Sequence, residues 1–95
     1  MSNYRLSKEA KADLIRIYQY GVSTFGAAQA EKYYNTLFEY FELIAIEPYA
    51  FESVDFIKPG YRRCACGSDS IFYRISDSTV DIMAIIGRQD LSNIL

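Results

Sequence analysis

The sequence predicts an α+β fold: an N-terminal strand, then an antiparallel helix hairpin packed on one face of a mainly antiparallel sheet of three to four strands. Two observations predict this order. Apolar residues follow helical spacing between Ser7 and Glu47, with breaks at Gly26 and Pro48. Residues 60–86 then read as three strand-like runs separated by short polar turns, and a short C-terminal tail follows them.

The length of 95 residues predicts one domain, residues 1–95, with a single hydrophobic core. Hydrophobic residues make up 51% of the chain, which argues against disorder. We find no basic leader followed by an apolar stretch, and the apolar runs are shorter than the roughly 18–20 residues that cross a bilayer. We therefore expect a cytoplasmic protein.

The first strand is predicted at residues 4–6, and the first helix follows it directly. Ser7 is a favourable N-cap, and Glu9 in the first turn suits the helix dipole. This helix is expected to end near Phe25, because Gly26 breaks it. Its predicted buried face consists of Ala10, Leu14, Ile17, Tyr18 and Gly21.

The second helix is predicted from about Ala27 to Glu47, because Pro48 disfavours helical geometry at the residue before it. Two helices joined by one or two residues must form an antiparallel hairpin. The predicted apolar stripe of this helix consists of Ala30, Tyr33, Tyr34, Leu37, Phe41, Ile44 and Ala45.

An irregular connection is expected from Pro48 to Pro59, with its aromatic residues Tyr49, Phe51 and Phe56 anchored in the core. Strands are predicted at residues 62–66, 70–76 and 79–86, with residues 67–69 as the first turn. The length of that turn stays open. A three-residue turn places Arg62 on the face of Phe72, and a four-residue turn places Arg63 there.

The last two strands are predicted to form a hairpin closed by Asp77-Ser78. One face of this register consists of the apolar pairs Ile75–Val80, Tyr73–Ile82 and Ile71–Ala84. The other face consists of Arg74–Asp81 and Phe72–Met83, followed by Ile85. We expect the rest of the chain to cover only the first face.

The second face is predicted to be a binding surface, because an apolar centre of this kind is unusual against water. Its centre would be Phe72, Met83 and Ile85, and its rim would be the basic side chains Arg62, Arg63 and Arg74.

The charge distribution is interpreted first as ordinary solvated surface charge, and a surface polarised for a charged partner is the alternative. The net charge is −2, but residues 31–55 carry one lysine and six carboxylates. Residues 56–76 carry four basic residues and one acidic residue.

The sequence contains no recognisable catalytic constellation. It has no histidine, the usual proton shuttle near neutral pH, and its glycines form no phosphate-binding loop. Cys64 and Cys66 are interpreted as packing thiols; metal binding and redox chemistry are the alternatives, although two cysteines without a histidine do not complete a zinc site. We expect no metal and no cofactor.

Taken together, these segments resemble the ParE branch of the RelE/ParE toxin superfamily over nearly the whole length. Ser7, Ala10, Asp13 and Leu14 match the S-x-x-A-x-x-D-L opening of that family. Phe25-Gly26, the stripe of the second helix and Pro48 continue the match. The strand signatures are matched by Gly60-Tyr61-Arg62-Arg63, Ile71-Phe72-Tyr73-Arg74-Ile75 and Ile85-Ile86-Gly87-Arg88-Gln89-Asp90.

The resemblance implies one of two activities, since RelE-like members are ribosome-dependent mRNA endonucleases and ParE-like members poison DNA gyrase. The nucleases carry an Arg and a Tyr beyond the last strand, and these places fall here at Gln89 and Leu95. A negative net charge also suits a protein target better than RNA. The resemblance therefore implies a gyrase poison that acts by binding and is not an enzyme.

The implied partners are the A subunit of gyrase, held on cleaved DNA, and a ParD-like antitoxin that neutralises the toxin. No membrane and no sequence-specific nucleic acid is expected. The antitoxin would bind Phe72, Arg74, Met83, Ile85, Arg62 and Arg63, and gyrase would contact Arg88, Gln89 and Asp90. A RelE-like nuclease and a non-toxic module that only binds antitoxin are the alternative functions.

Overall fold

The computed structural model describes residues 3–87, which form two helices and five strands. The order is as predicted except for a short strand at Glu52–Ser53, inside the connection that was expected to be irregular throughout. The elements are β1 (Asn3–Leu6), α1 (Lys8–Phe25), α2 (Ala27–Ile46), β2 (Glu52–Ser53), β3 (Tyr61–Cys66), β4 (Asp69–Ser76) and β5 (Thr79–Gly87). The sheet order is β1-β5-β4-β3-β2. Since β1 pairs in parallel with β5 and the other pairs are antiparallel, the α+β class is confirmed and the sheet is larger than predicted.

The helix hairpin begins and turns at the predicted residues. The Ser7 Oγ atom accepts a hydrogen bond from the Ala10 N–H at 3.0 Å and caps α1. Gly26 has φ of 93°, a backbone conformation that favours glycine, and its carbonyl accepts the Ala30 N–H at 3.1 Å to start α2. A Cβ atom on Gly21 would lie 3.1 Å from the Ala30 Cβ, so glycine here permits close contact of the helices. Neither helix of the described chain is long and apolar enough to span a membrane.

The main core lies between the helices and the sheet. Cys64 and Cys66 are free thiols buried in this core, as the packing interpretation requires. Burial raises the pKa of the Cys64 thiol to about 11, so this thiol stays protonated at neutral pH. The other buried members are Ala10, Leu14, Ile17, Leu37, Phe41, Ile44, Ile71, Tyr73, Val80, Ile82 and Ile85.

The β4–β5 register is as predicted near the turn and differs beyond it. Ile75 pairs with Val80, Arg74 with Asp81 and Tyr73 with Ile82, as expected. A bulge then makes Met83 an extra residue, so Phe72 pairs with Ala84 and Ile71 pairs with Ile85. The predicted pairs Phe72–Met83 and Ile71–Ala84 are therefore wrong, and Ile85 packs in the main core, on the opposite side of the sheet from its predicted place.

The turn between β3 and β4 consists of two residues, Gly67 and Ser68, because Cys66 pairs with Asp69. This register pairs Arg63 with Phe72. Both predicted turn lengths, three and four residues, are therefore wrong. Arg63, and not Arg62, shares the sheet face of Phe72, the placement that the four-residue alternative gave.

The second face, which is the sheet face away from the helices, is covered by the connection between β2 and β3. The Val54 N–H donates to the Tyr61 carbonyl at 2.8 Å, and Val54, Tyr61 and Phe72 form a small second core with Ile57 beside it. The expectation that only one face is covered is thus wrong.

The aromatic residues of the connection behave differently from one another. Phe51 packs against the main core, whereas Tyr49 and Phe56 are 69% and 85% exposed. The prediction that all three anchor the connection holds only for Phe51.

Candidate interaction surface

Of the three predicted rim arginines, Arg63 and Arg74 lie on the second face. Arg74 forms an ion pair within the protein. Asp81 is buried, and it is held by Arg5 at 2.9 Å and by Arg74 at 3.4 Å. The predicted Arg74–Asp81 pair is confirmed. A carboxylate buried between two guanidinium groups is an internal ion pair, so part of the positive charge of this rim is already neutralised.

The other two predicted rim residues also bind within the protein. The Arg63 guanidinium contacts Glu52 at 2.7 Å and donates to the Ser70 hydroxyl at 2.8 Å. Arg62 donates to the Phe51 carbonyl at 2.7 Å, and its guanidinium lies 5.0 Å from the ring centroid of Tyr49. These contacts tie the connection to the sheet edge, so both arginines serve the fold.

The predicted apolar centre of the second face is closed. Phe72 and Ile85 are both fully buried, Phe72 under the connection and Ile85 in the main core, while Met83 is half-buried beside Phe72. The prediction of an open apolar centre is therefore wrong for Phe72 and Ile85. Antitoxin contacts by Met83, Arg74, Arg63 and Arg62 stay a prediction.

Three polar residues, the N-cap of α1 and two residues of its first half, bind the backbone of β5. In the described chain, β5 pairs with β1 only as far as Ile82. Beyond Ile82, the N–H and C=O groups on the β5 edge that faces away from β4 therefore need other partners. The Ser7 hydroxyl donates to the Met83 carbonyl at 2.8 Å, and the Asp13 carboxylate accepts the Ile85 N–H at 3.0 Å. Arg16 donates to the Ile85 carbonyl at 3.1 Å. Ser7 and Asp13 of the opening motif therefore have a structural role.

A cleft of about 450 Å³ lies between the helix hairpin and the β3–β4 turn. The Tyr33 hydroxyl lies 2.8 Å from the Cys66 carbonyl and 2.7 Å from the Asp69 carboxylate. Burial, reinforced by Asp69, raises the pKa of the Tyr33 phenol, which therefore stays protonated at neutral pH. The lining residues are Arg16, Ile17, Tyr20, Gly21, Phe25, Gln29, Ala30, Tyr33, Ser68, Asp69 and Gly87.

The residues predicted to contact gyrase, Arg88, Gln89 and Asp90, lie outside the described residues, directly after Gly87 of the cleft wall. Within residues 3–87, no group of three or more histidine, cysteine or carboxylate side chains could hold a metal ion.

An exposed apolar stripe on α1 is the surface that the sequence-based prediction missed, and Tyr18, predicted on the buried face, belongs to it. This α1 stripe consists of Ile15, Tyr18, Val22 and Phe25, which follow the i, i+3, i+7, i+10 spacing of one helix face. Ile15 is 59% exposed and Phe25 is 65% exposed, while Tyr18 is half-buried with its ring edge-on to Tyr34, at 5.6 Å between ring centroids. The spacing was readable in the sequence, but only the structure separates this stripe from the buried face.

Comparisons of the sequence with known families and proteins, and of the fold with solved structures, point in the same direction. A family model described as the ParE toxin of the type II toxin–antitoxin system parDE matches residues 4–91. A protein of Caulobacter vibrioides named Toxin ParE1 is 43% identical over 75 residues, which cover 79% of this chain and 78% of that protein. A protein of Mycobacterium tuberculosis, also named Toxin ParE1, is 34% identical over 86 residues, covering 90% and 88% respectively.

A solved structure of a chromosomal ParDE TA system from P. aeruginosa contains a chain with a similar fold. Its TM-score is 0.81 at 21% identity, and the match covers 92% of this chain and 96% of that one.

Proposed function

Because the chain belongs to the ParE toxin family of type II toxin–antitoxin systems, we propose that it inhibits DNA gyrase by binding the enzyme on cleaved DNA. The observation that carries this proposal is the family match over residues 4–91. The proposed site of action is the cytoplasm, and the proposed gyrase contact is the A subunit.

The contacts of the arginines support inhibition by binding rather than by cleavage of a nucleic acid. A nuclease needs cations free to bind phosphate and a group that transfers protons near neutral pH. On the second face, Arg63 and Arg74 are paired with Glu52 and Asp81. The chain has no histidine, and the Tyr33 phenol stays protonated.

We propose a ParD-like antitoxin as the natural inhibitor. The matching family belongs to the parDE toxin–antitoxin system, and the structural neighbour comes from a ParDE system; both support this partner. An antitoxin segment that is disordered when free must bury apolar surface to offset the entropy lost on ordering. The toxin therefore has to present such a surface outside its own core.

Induction of the gene in bacteria without an antitoxin tests the proposal. Filamentation and a DNA-damage response, with protein synthesis continuing, are expected. Co-expression of the antitoxin from the adjacent reading frame should restore growth and serves as the control. Prompt arrest of protein synthesis would instead indicate the nuclease, and unaffected growth would indicate a non-toxic binding module.

A further inference from the structure

One aromatic side chain projects into solvent from the connection between β2 and β3. Phe56 is 85% exposed, the largest fraction among the large hydrophobic residues of the described chain. Val54 and Ile57, on either side of it, pack in the second core with Phe72. Residues 54–61, named here the Phe56 loop, therefore turn two apolar side chains inward and this one outward. A single exposed apolar residue is common on a protein surface, so exposure alone assigns it no role.

The backbone of the Phe56 loop is held in place on both sides of its tip. The Val54 N–H donates to the Tyr61 carbonyl at 2.8 Å and joins the two ends of the loop. Inside that closure, the Gly60 N–H donates to the Asp55 carboxylate at 2.7 Å. A loop tied in this way presents Phe56 in a fixed position, so little conformational entropy is lost when the ring is bound.

A groove of about 270 Å³ lies beside the Phe56 loop, and Asp55 of the loop forms part of its wall. Tyr49 and Arg62 also line this groove, with the Arg62 guanidinium 5.0 Å from the ring centroid of Tyr49. Tyr49 is 69% exposed. Aromatic residues and arginine are enriched at the centres of protein–protein interfaces. The loop and the groove therefore place an exposed aromatic side chain next to a surface of interface composition.

The charges of the Phe56 loop favour a protein over a nucleic acid as the partner. The loop carries one carboxylate, Asp55, and one ammonium group, Lys58, so its net charge is zero. The Lys58 Nζ atom lies 5.3 Å from the ring centroid of Tyr61, and Arg62 in the groove donates to the Phe51 carbonyl at 2.7 Å. Binding to phosphates depends on an excess of cations that can reach them, and this surface has no such excess.

We propose that Phe56 is an anchor for the protein target of the toxin: its ring inserts into an apolar pocket on the surface of gyrase, and the groove beside the loop contacts the rim of that pocket. This inference rests on the proposed function and adds the toxin surface that meets the target. A rigid convex side chain needs a preformed cavity, which a folded enzyme supplies and an antitoxin segment that is disordered when free does not.

The test measures inhibition of supercoiling by the purified full-length toxin, titrated against gyrase, relaxed plasmid and ATP. Phe56→Ala should need at least about tenfold more toxin for half-inhibition, because truncation of a desolvated aromatic anchor costs a decade or more in affinity. Phe56→Leu keeps part of the apolar volume and should lose less.

Leu43→Ala is the matched control, because Leu43 is an apolar residue 46% exposed on α2 and lies outside the loop and the groove. It should inhibit gyrase within about twofold of the unmodified toxin. Phe56→Ala should bind the antitoxin from the adjacent reading frame with unchanged affinity in calorimetry. Thermal melting followed by circular dichroism verifies that each variant is folded.

Three results would overturn this inference and leave the proposed function standing. One is a folded Phe56→Ala variant that inhibits gyrase as well as the unmodified toxin does. Another is lost antitoxin affinity with inhibition intact, which would assign the loop to the antitoxin. The third is binding of the unmodified toxin to fluorescently labelled duplex DNA without gyrase that Phe56→Ala abolishes, which would assign the ring to a nucleic acid. Failure of the unmodified toxin to inhibit gyrase would instead contradict the proposed function.

Discussion

At the scale of residues, Asp13 connects the first helix to the last strand. Its carboxylate accepts the N–H of Ile85, which is fully buried just beyond the bulge at Met83. The family motif marks this position, but its reason is not readable from the sequence, because the pairing of β1 with β5 ends at Ile82 and leaves the Ile85 N–H without a strand partner only in the folded sheet.

Replacing Asp13 with alanine should lower the free energy of unfolding by about 1–3 kcal/mol, because the Ile85 N–H loses its acceptor in a buried environment. Asp13→Asn keeps an acceptor oxygen and should lose less. Glu39→Ala on the exposed side of α2 is the control and should change stability by less than about 0.5 kcal/mol. Urea denaturation measures all three. Equal losses for Asp13→Ala and Glu39→Ala would contradict the role assigned to Asp13.

At the scale of elements, the β4–β5 hairpin was predictable as far as the chain alternates regularly. The Arg74–Asp81 ion pair and the Tyr73–Ile82 contact follow from the turn at Asp77-Ser78. The bulge was not predictable, because one inserted residue changes the face of everything after it and leaves no local signal in an apolar run. Ile85 was misplaced for this reason.

The connection after α2 is the second element whose role the sequence did not reveal. Val54 and Ile57 cover Phe72, so an apolar strand face that suggested a partner is buried within the chain itself. Alternation of apolar and polar residues reports which face of a strand is apolar, but it does not report what covers that face.

Phe72→Ala should therefore lower the free energy of unfolding by about 3–5 kcal/mol, as expected for a wholly buried aromatic side chain. Phe56→Ala on the same connection should change stability by about 0.5 kcal/mol or less, because Phe56 is 85% exposed. Thermal or urea unfolding compares the two. A folded Phe72→Ala variant as stable as the parent would show that the second face is open after all.

At the scale of the whole molecule, the α+β architecture and the family were both predictable, because helix breaks, strand runs and motif order agree along the chain. The parallel pairing of β1 with β5 was not, since it joins residues more than seventy positions apart with no local signal. The α1 stripe was missed for a related reason: separating an exposed apolar stripe from a buried one requires the position of the helix on the sheet.

The claim that the molecule acts by binding gyrase is tested most directly with purified components. Toxin is added to gyrase, relaxed plasmid and ATP, and supercoiled and cleaved DNA are measured together. Loss of supercoiling and accumulation of cleaved plasmid are expected, both reversed by prior addition of the antitoxin. Normal supercoiling at a large molar excess of folded toxin, without cleaved DNA, would contradict the account.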